Sequence, residues 1–394
     1  MYLFANGDKA ESKLIPPSPE RSFSKMSQKS CFDIDKGAVH VIEMKAPIEV
    51  IETSLVITPS PITIFHQHLR QAEPVYAVLM ELKEKGWKNS KGDEHFQYQR
   101  QRADTATGKA AAKFYQMMQE IGDEMQAATG ALCQNNRSED GVGILDLCMA
   151  PGGYTASALK YNPRAKAIGI TLPPDKGGHE VFLNSYRSTV LYHDITMFAK
   201  EFGVDEVPCT HPGHDSFSLE RPFINQRFDF VICDGQVLRT HKRPEYRERT
   251  EANRLTSSQL ILALQRIRHG GTLVILLHKI EALDTMELLY LFSQFSDIEV
   301  FKPLRKHAIR STFYLIAKNV QPSVESARVA VIAWKKAWWN ATFGGEQGVG
   351  AQRLDMDDKY AQAIIDSFGD RFTALARPVW KIQADALSRT DFTQ

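Results

Sequence analysis

The chain has 394 residues, of which 43% are apolar and 24% charged, with a formal net charge of +1. This is the composition of a soluble globular protein, long enough for one large domain with extensions or for two domains. It excludes a global basic field, so any nucleic-acid surface must be a local patch. The five cysteines (Cys31, Cys133, Cys148, Cys209, Cys233) are odd in number and include no CxxC pair. That spacing argues against a disulfide framework or a zinc ribbon and for a reducing compartment. No signal-peptide pattern or bilayer-length apolar run occurs, so cytoplasm or nucleus is expected, without membrane association.

Residues 1–30 are rich in Ser, Lys, Pro and Glu and are expected to be disordered. Val39–Met44 and Ile48–Ile51 carry β-branched residues in strand-like order, closed by Pro59 and Pro61. Residues 62–125 have a helical pattern, with Leu79, Leu82 and Trp87 at helical spacings and a break expected at Gly92. A small N-terminal module over residues 31–99 would lead into a core domain over 100–320.

Within that core, strand-like runs alternate with helical ones. The expected strands are Ile144–Cys148, Ala165–Thr171, Thr189–Asp194, Phe228–Cys233, Thr272–Lys279, Ile298–Phe301 and Thr312–Ala317. Helices are expected at Glu251–Arg268 and Thr285–Phe295. The alternation predicts an α/β fold with a mainly parallel sheet covered on both faces, its last two strands an antiparallel pair. Ligands of such sheets bind at the carboxyl ends of the strands, near the switch in strand order. Residues 203–227 read as a loop insertion. A C-terminal extension, 321–394, holds one helix with Trp334, Trp338 and Trp339, a Gly-rich break and a second helix near Asp357–Phe368.

The most informative stretch is Gly143 to Thr155: an apolar strand, a tight turn at Pro151-Gly152-Gly153, and a helix from Tyr154. Glycine admits close approach of a ligand to the backbone, and the free N–H groups of a helix start face it. The turn lacks the spacing of a dinucleotide fingerprint and the Gly-Lys-Ser/Thr of a phosphate loop. Two polar groups then close later strands. Asp234 ends Phe228–Cys233, and Lys279 ends Thr272–His278. A lysine emerging from an apolar strand is partly desolvated, which lowers its pKa and suits it to act as a general base. An Asp–Lys ion pair closing the sheet is the simpler alternative.

The Asp-Leu-x-x-Ala-Pro-Gly-Gly segment resembles the S-adenosylmethionine (SAM) turn of the FtsJ/RrmJ-type RNA ribose 2′-O-methyltransferases. The resemblance covers residues 100–320 and implies a Rossmann-like class I methyltransferase fold with a seven-stranded sheet, SAM as cofactor, and RNA as partner. It implies cofactor contacts from Asp146, Ala150, Pro151, Gly152, Gly153, Tyr154 and Asp234. From the family's Lys-Asp-Lys-Glu tetrad it implies catalytic roles for Asp234, Lys279 and a lysine on the helix before the turn. Lys113 in Ala-Ala-Lys-Phe is similar to the family's segment there, and Lys109 is its competitor. Thr171 stands where strand two of the family ends in an acid for the SAM ribose. Asp194 stands where the family contacts adenine, and it could equally be a helix N-cap.

Two departures from the family stand out. Thr312 takes the place of the tetrad glutamate, with Glu281 as a substitute, and Thr171 offers a hydroxyl in place of a carboxylate. Basic residues cluster at Arg239–Arg243 with Arg247 and Arg249, and at Lys302, Arg305, Lys306, His307 and Arg310. The second cluster has fewer acids nearby and is the better phosphate-binding surface. Cys209–Asp215 matches no standard metal spacing, so no metal site is expected. Trp334 and Trp338, at i and i+4, are expected to dock a helix on the core. The expected reaction is methyl transfer from SAM to an RNA ribose 2′-hydroxyl with Lys279 as base. A catalytically degenerate RNA- or protein-binding module and a methyltransferase for small molecules are the alternatives.

Overall fold

Seven short strands pair into one sheet among the described residues, in the order β3-β2-β1-β4-β5-β7-β6. The computed structural model describes residues 59–104, 108–134 and 141–394. The two strands expected at Val39–Met44 and Ile48–Ile51, and the disorder expected over 1–30, lie outside them. The strands are β1 (Gly143–Leu147), β2 (Lys166–Thr171), β3 (Ser188–Tyr192), β4 (Phe228–Cys233), β5 (Ile267–His278), β6 (Asp297–Phe301) and β7 (Thr312–Val320). β1 to β5 are parallel; β7 runs antiparallel to both β5 and β6.

Parallel neighbours need a crossover, which a helix usually supplies. Four helices precede the sheet: α1 (Pro61–Ala72), α2 (Pro74–Lys88), α3 (Ser90–Asp104) and α4 (Lys109–Thr129). Then α5 (Gly153–Tyr161) joins β1 to β2, α6 (Glu251–Arg266) joins β4 to β5, and α7 (Leu283–Ser293) joins β5 to β6. Between β2 and β3 only a short 3-10 turn and an irregular segment intervene. Two long helices follow, α8 (Glu325–Phe343) and α9 (Asp358–Leu387), the latter N-capped by the Asp357 carboxylate.

Strand side chains alternate between the faces of a sheet, and each face here has its own core. Leu145, Leu147, Val231, Leu273, Ile275 and Leu315 join the helices α6 to α9 with α1 and α2. Ile144, Phe230, Ile232, Val274, Tyr314 and Ile316 join α4 and α5. Tyr76 of α2 lies 4.9 Å from the Trp380 ring of α9, and Phe65 of α1 lies 6.0 Å from Phe372. Residues 60–394 thus form one compact unit.

Several boundaries differ from expectation. Gly92 lies inside α3; the breaks fall at Glu73, before Pro74, and at Asn89. Proline cannot donate the backbone bond that a continuous helix would require at position 74. Leu79 and Leu82 are buried, but Trp87 is 61% exposed. β5 starts at Ile267, earlier than Thr272, through an irregularity opposite Phe228–Phe230. The last helix continues to Leu387, well past Phe368, because Ile364, Phe372, Val379 and Trp380 extend its buried stripe. Trp334 and Trp338 dock as expected, and the Trp338 indole donates to the Thr196 carbonyl at 3.1 Å.

Candidate active site

The turn after β1 is tightly built. Ala150–Pro151 is cis, Gly152 takes φ +96°, and α5 begins at Gly153. A Cβ on Gly153 would stand 2.5 Å from the Tyr115 carbonyl and Met118 of α4. A Cβ on Gly152 would stand 2.9 Å from Leu183. The glycines are therefore required by close packing of protein on the turn, a reason the sequence reading did not supply. Leu183 belongs to the irregular segment after β2, whose Phe182 N–H donates to the Pro151 carbonyl at 3.0 Å. The loop after β4 clasps the start of the same segment. Thr240 donates to the Gly177 carbonyl at 2.8 Å, and the Lys242 N–H donates to that of Lys176 at 2.9 Å.

Two acids lie beside this turn. Asp146 is almost fully buried, accepts from the Thr155 hydroxyl, and leaves Oδ1 without a partner. Asp234, just past β4, likewise has a buried Oδ1 without a partner. Burial pushes the Asp146 carboxyl up to about 7. Burial, then the neighbouring Asp146 charge, raises Asp234 well above the carboxylate range. Two buried carboxyls that disfavour each other's ionisation are what a cationic ligand relieves. SAM carries an ammonium and a sulfonium, so the acid pair fits it. Nearby, Tyr154 and Tyr314 join hydroxyl to hydroxyl below the turn.

Lys279 sits elsewhere. Residues 274 and 276 of β5 face α4 and α5, whereas 275 and 277 face the opposite core. Lys279 lies just past the last residue of β5, and the next residue, Ile280, packs into the second core. The groups acting on its ammonium are Glu281 and Lys83 of α2. No hydrogen bond or ion pair joins it to Asp234 among the described residues. The register pairs Cys233 with Ile275, so the β5 residue level with Asp234 is the apolar Leu276. Lys279 nonetheless has the marks of a functional residue. It holds φ +46°, a strained conformation for a side-chain-bearing residue. Its N–H donates to Ser311 at 3.0 Å, and its carbonyl accepts from Ala282 at 2.8 Å. Burial, with Lys83 adding to it against Glu281, lowers its pKa.

The remaining expected positions divide. Lys109 and Lys113 are exposed on the first turns of α4. Thr171 is buried and its hydroxyl accepts from the Ala150 N–H at 3.4 Å. Asp194 caps a short 3-10 turn through the Thr196 N–H at 3.0 Å and pairs with Arg247 at 2.9 Å. Burial works to raise its pKa, but Arg247 and His241 hold it at about 2. Thr312 is buried with its hydroxyl unpartnered. Glu281, the expected substitute, pairs with Lys83 at 2.5 Å. The acidic side chains of Asp194 and Glu251 also approach His241, and the three place ligand atoms within 4.8 Å of one another. Arg247 already donates to both carboxylates, so a guanidinium supplies the positive charge there.

Each basic cluster divides into buried or paired residues and exposed ones, the exposed ones including Lys242, Arg249 and Arg305. Lys302 is 3% exposed and donates to the carbonyls of His307, Arg310 and Thr312. Arg310 makes a forked contact to Gln99, and Lys306 pairs with Glu120 at 3.0 Å. In the other cluster Arg247 is buried and Arg243 pairs with Glu248 at 2.6 Å. Spacing missed these roles because a basic residue after a strand reads alike whether it faces solvent or backbone carbonyls. His211 is buried among Phe217, Tyr246 and Phe343.

A seven-stranded sheet of this order and direction, with a Gly-rich turn after β1 and acids at the ends of β1 and β4, defines a Rossmann-like class I methyltransferase fold. The FtsJ-like methyltransferase family profile matches residues 107–320, more than half of the chain. The chain belongs to that family, whose cofactor is SAM. No curated protein sequence matches it. Among solved structures, human methyltransferase-like protein 13 in complex with SAH is 14% identical, covering 62% of this chain and 98% of that one at a TM-score of 0.30. An rRNA methylase from Streptococcus thermophilus is 13% identical over 46% and 89%, at 0.27. A fibrillarin/NOP5P complex is 11% identical over 47% and 77%, at 0.28. No helix among the described residues is long and apolar enough to cross a membrane.

Proposed function

We propose that this chain methylates a ribose 2′-hydroxyl of RNA, with Lys279 accepting the hydroxyl proton. The observation that carries this reading is Lys279 itself: a half-buried, strained lysine at the carboxyl end of a central strand, with a lowered pKa and no hydrogen-bond partner for its amine among the described residues. The RNA acceptor rests on the family. The cofactor supplies a methyl made electrophilic by its sulfonium. Asp146 and Asp234 would hold its cationic end, each offering an unpartnered carboxyl oxygen beside the Pro151–Gly153 turn. Ala150, Tyr154 and Thr171 shape that turn and its floor, and Asp194 would face the adenine side. Lys279 would accept the proton that the 2′-hydroxyl gives up. Positioning and base assistance both contribute, the latter typically about 10²–10⁴ in rate. The exposed Lys113 is left for the phosphates of the incoming strand.

A second reading keeps the fold and cofactor pocket without the transfer. It is favoured by Leu276 standing level with Asp234 and by Thr312 in place of an acid. The test is transfer of tritium from labelled SAM into capped, ribosomal or transfer RNA. Wild type should transfer label, and Lys279→Met should lose at least about a hundredfold in rate. Wild-type protein that binds SAM and RNA but transfers nothing establishes the second reading. Label entering a small molecule and no RNA would overturn the acceptor assignment.

A further inference from the structure

Glu281 and Lys83 come from opposite ends of the fold. Lys83 lies on α2, before the family-matched region, and Glu281 follows β5. Their side chains meet at 2.5 Å with only 9% and 12% of each exposed. The second Glu281 oxygen, Oε2, is buried without a partner. His66 of α1 lies near Glu281, and its Nδ1 is 2.7 Å from the Tyr76 hydroxyl. The helix α2 therefore grips the segment that begins at Lys279 by its carboxylate, with His66 of α1 close by.

We propose that Lys83 and Glu281 are positioning residues for Lys279, so that the helices α1 and α2 complete the proton-accepting site of the family domain. This rests on Lys279 being the base. An unpaired Glu281 would keep Lys279 protonated and useless as a base. Lys83 neutralises that carboxylate on one oxygen, and the other is buried without a partner. Lys279 thus lies in the field of a carboxylate that Lys83 already pairs. This arrangement answers two facts: among the described residues no hydrogen bond or ion pair joins Asp234 to Lys279, and Thr312 brings no acid. The charged and titratable groups around the amine are Glu281 and Lys83, with His278 adjacent in the chain. His278 is held near 4 by burial and nearby cations, so it is neutral across the working range.

A pair that merely docks α2 on the domain would leave the titration of Lys279 unmoved, and that separates the two roles. The full chain is reductively methylated with ¹³C-formaldehyde, and the Lys279 dimethylamine signal, identified by its loss in Lys279→Arg, is titrated by NMR. Removing the carboxylate in Glu281→Gln should lower the Lys279 midpoint by about one pH unit. Removing the cation in Lys83→Met should raise it by about as much, and Lys83→Arg should restore the wild-type value. If stranding a buried charge prevents folding, Glu281→Asp keeps the charge, withdraws it by one methylene, and should give a smaller fall in the midpoint. A midpoint that stays put in Glu281→Gln and Glu281→Asp overturns the proposal. The base assignment is judged apart: full transfer by Lys279→Met removes it whatever the titration shows. A dead Lys279→Met with a flat titration removes only the positioning pair.

Discussion

Arg247 donates to Asp194 at 2.9 Å and to Glu251 at 2.8 Å, closing a buried three-residue network beneath the end of β3. The arginine is 5% exposed, and both acids depend on it. Breaking a buried ion pair from one side leaves an uncompensated charge, which costs about 3–5 kcal/mol. Arg247→Met should therefore lower the urea midpoint by that equivalent, and lysine should restore little because it cannot fork between two carboxylates. The Asp194 contribution has a defined pH window. Its folded pKa of about 2 lies below the unfolded value of 3.8. Its stabilisation is therefore present above 3.8 and lost as pH falls through 2. Arg247→Met should flatten that acid limb.

The acid pair beside the SAM turn behaves in the opposite sense. Asp146 has a folded pKa raised from 3.8 to about 7, chiefly by burial. The folded protein then holds a proton that the unfolded chain has released. The associated stability is full below 3.8 and lost as pH rises through 7, an effect on the order of 4 kcal/mol at most. Asp146→Asn, which cannot ionise, should reduce the decline in melting temperature between about pH 4 and pH 7, with Asp234, also raised by burial, accounting for what remains. Adding SAM should stabilise wild type more at the upper end of that window, where the carboxylates are charged. A decline of equal size in Asp146→Asn would remove Asp146 as its source.

Thr312 is 7% exposed, and its hydroxyl lacks a partner. A buried hydroxyl with no hydrogen bond costs roughly 1–3 kcal/mol relative to an apolar group of the same shape. Thr312→Val should be neutral or more stable by about 1 kcal/mol, and methyl transfer should persist unchanged. A large loss of transfer in a well-folded Thr312→Val would show that the hydroxyl works on the substrate.

The sheet was legible because its runs obey a simple rule. Ile144 and Leu145 face different cores, and so do Phe230 and Val231, each as strand alternation requires. Phe228–Cys233 has the limits expected from its apolar content. The turn at Pro151–Gly153 and Asp234 were readable for the same reason, since they close apolar strands, whereas Asp146 lies inside β1 and was placed by the family resemblance alone. The surroundings of Lys279 were not readable, because it follows the last residue of β5 at φ +46°, where strand alternation no longer sets the direction of a side chain. Lys83 could not be found from spacing either. It reaches Glu281 across 198 residues, and only tertiary packing of α2 brings them together. Lys302 carries the same lesson in reverse, since a charged residue in a loop reads as surface until its carbonyl acceptors are seen.

That buried lysine gives the sharpest stability test. Its ammonium donates to the carbonyls of Arg310 at 2.6 Å, Thr312 at 2.9 Å and His307 at 3.4 Å, and so folds the β6–β7 connection around itself. Methionine matches its length but donates nothing, leaving three inward carbonyls unsatisfied. Lys302→Met should cost roughly 2–4 kcal/mol. Burial holds the folded pKa at about 7, below the ordinary 10.5. Between those values the unfolded chain binds more protons than the folded one, so wild-type stability rises with pH across that window. The methionine variant lacks this rise, so the difference between the two proteins should widen from about pH 7 to about pH 10. Urea unfolding at both ends of the window reads it directly. A gap that narrows with pH would mean that the carbonyls keep Lys302 charged throughout and that burial has been outweighed.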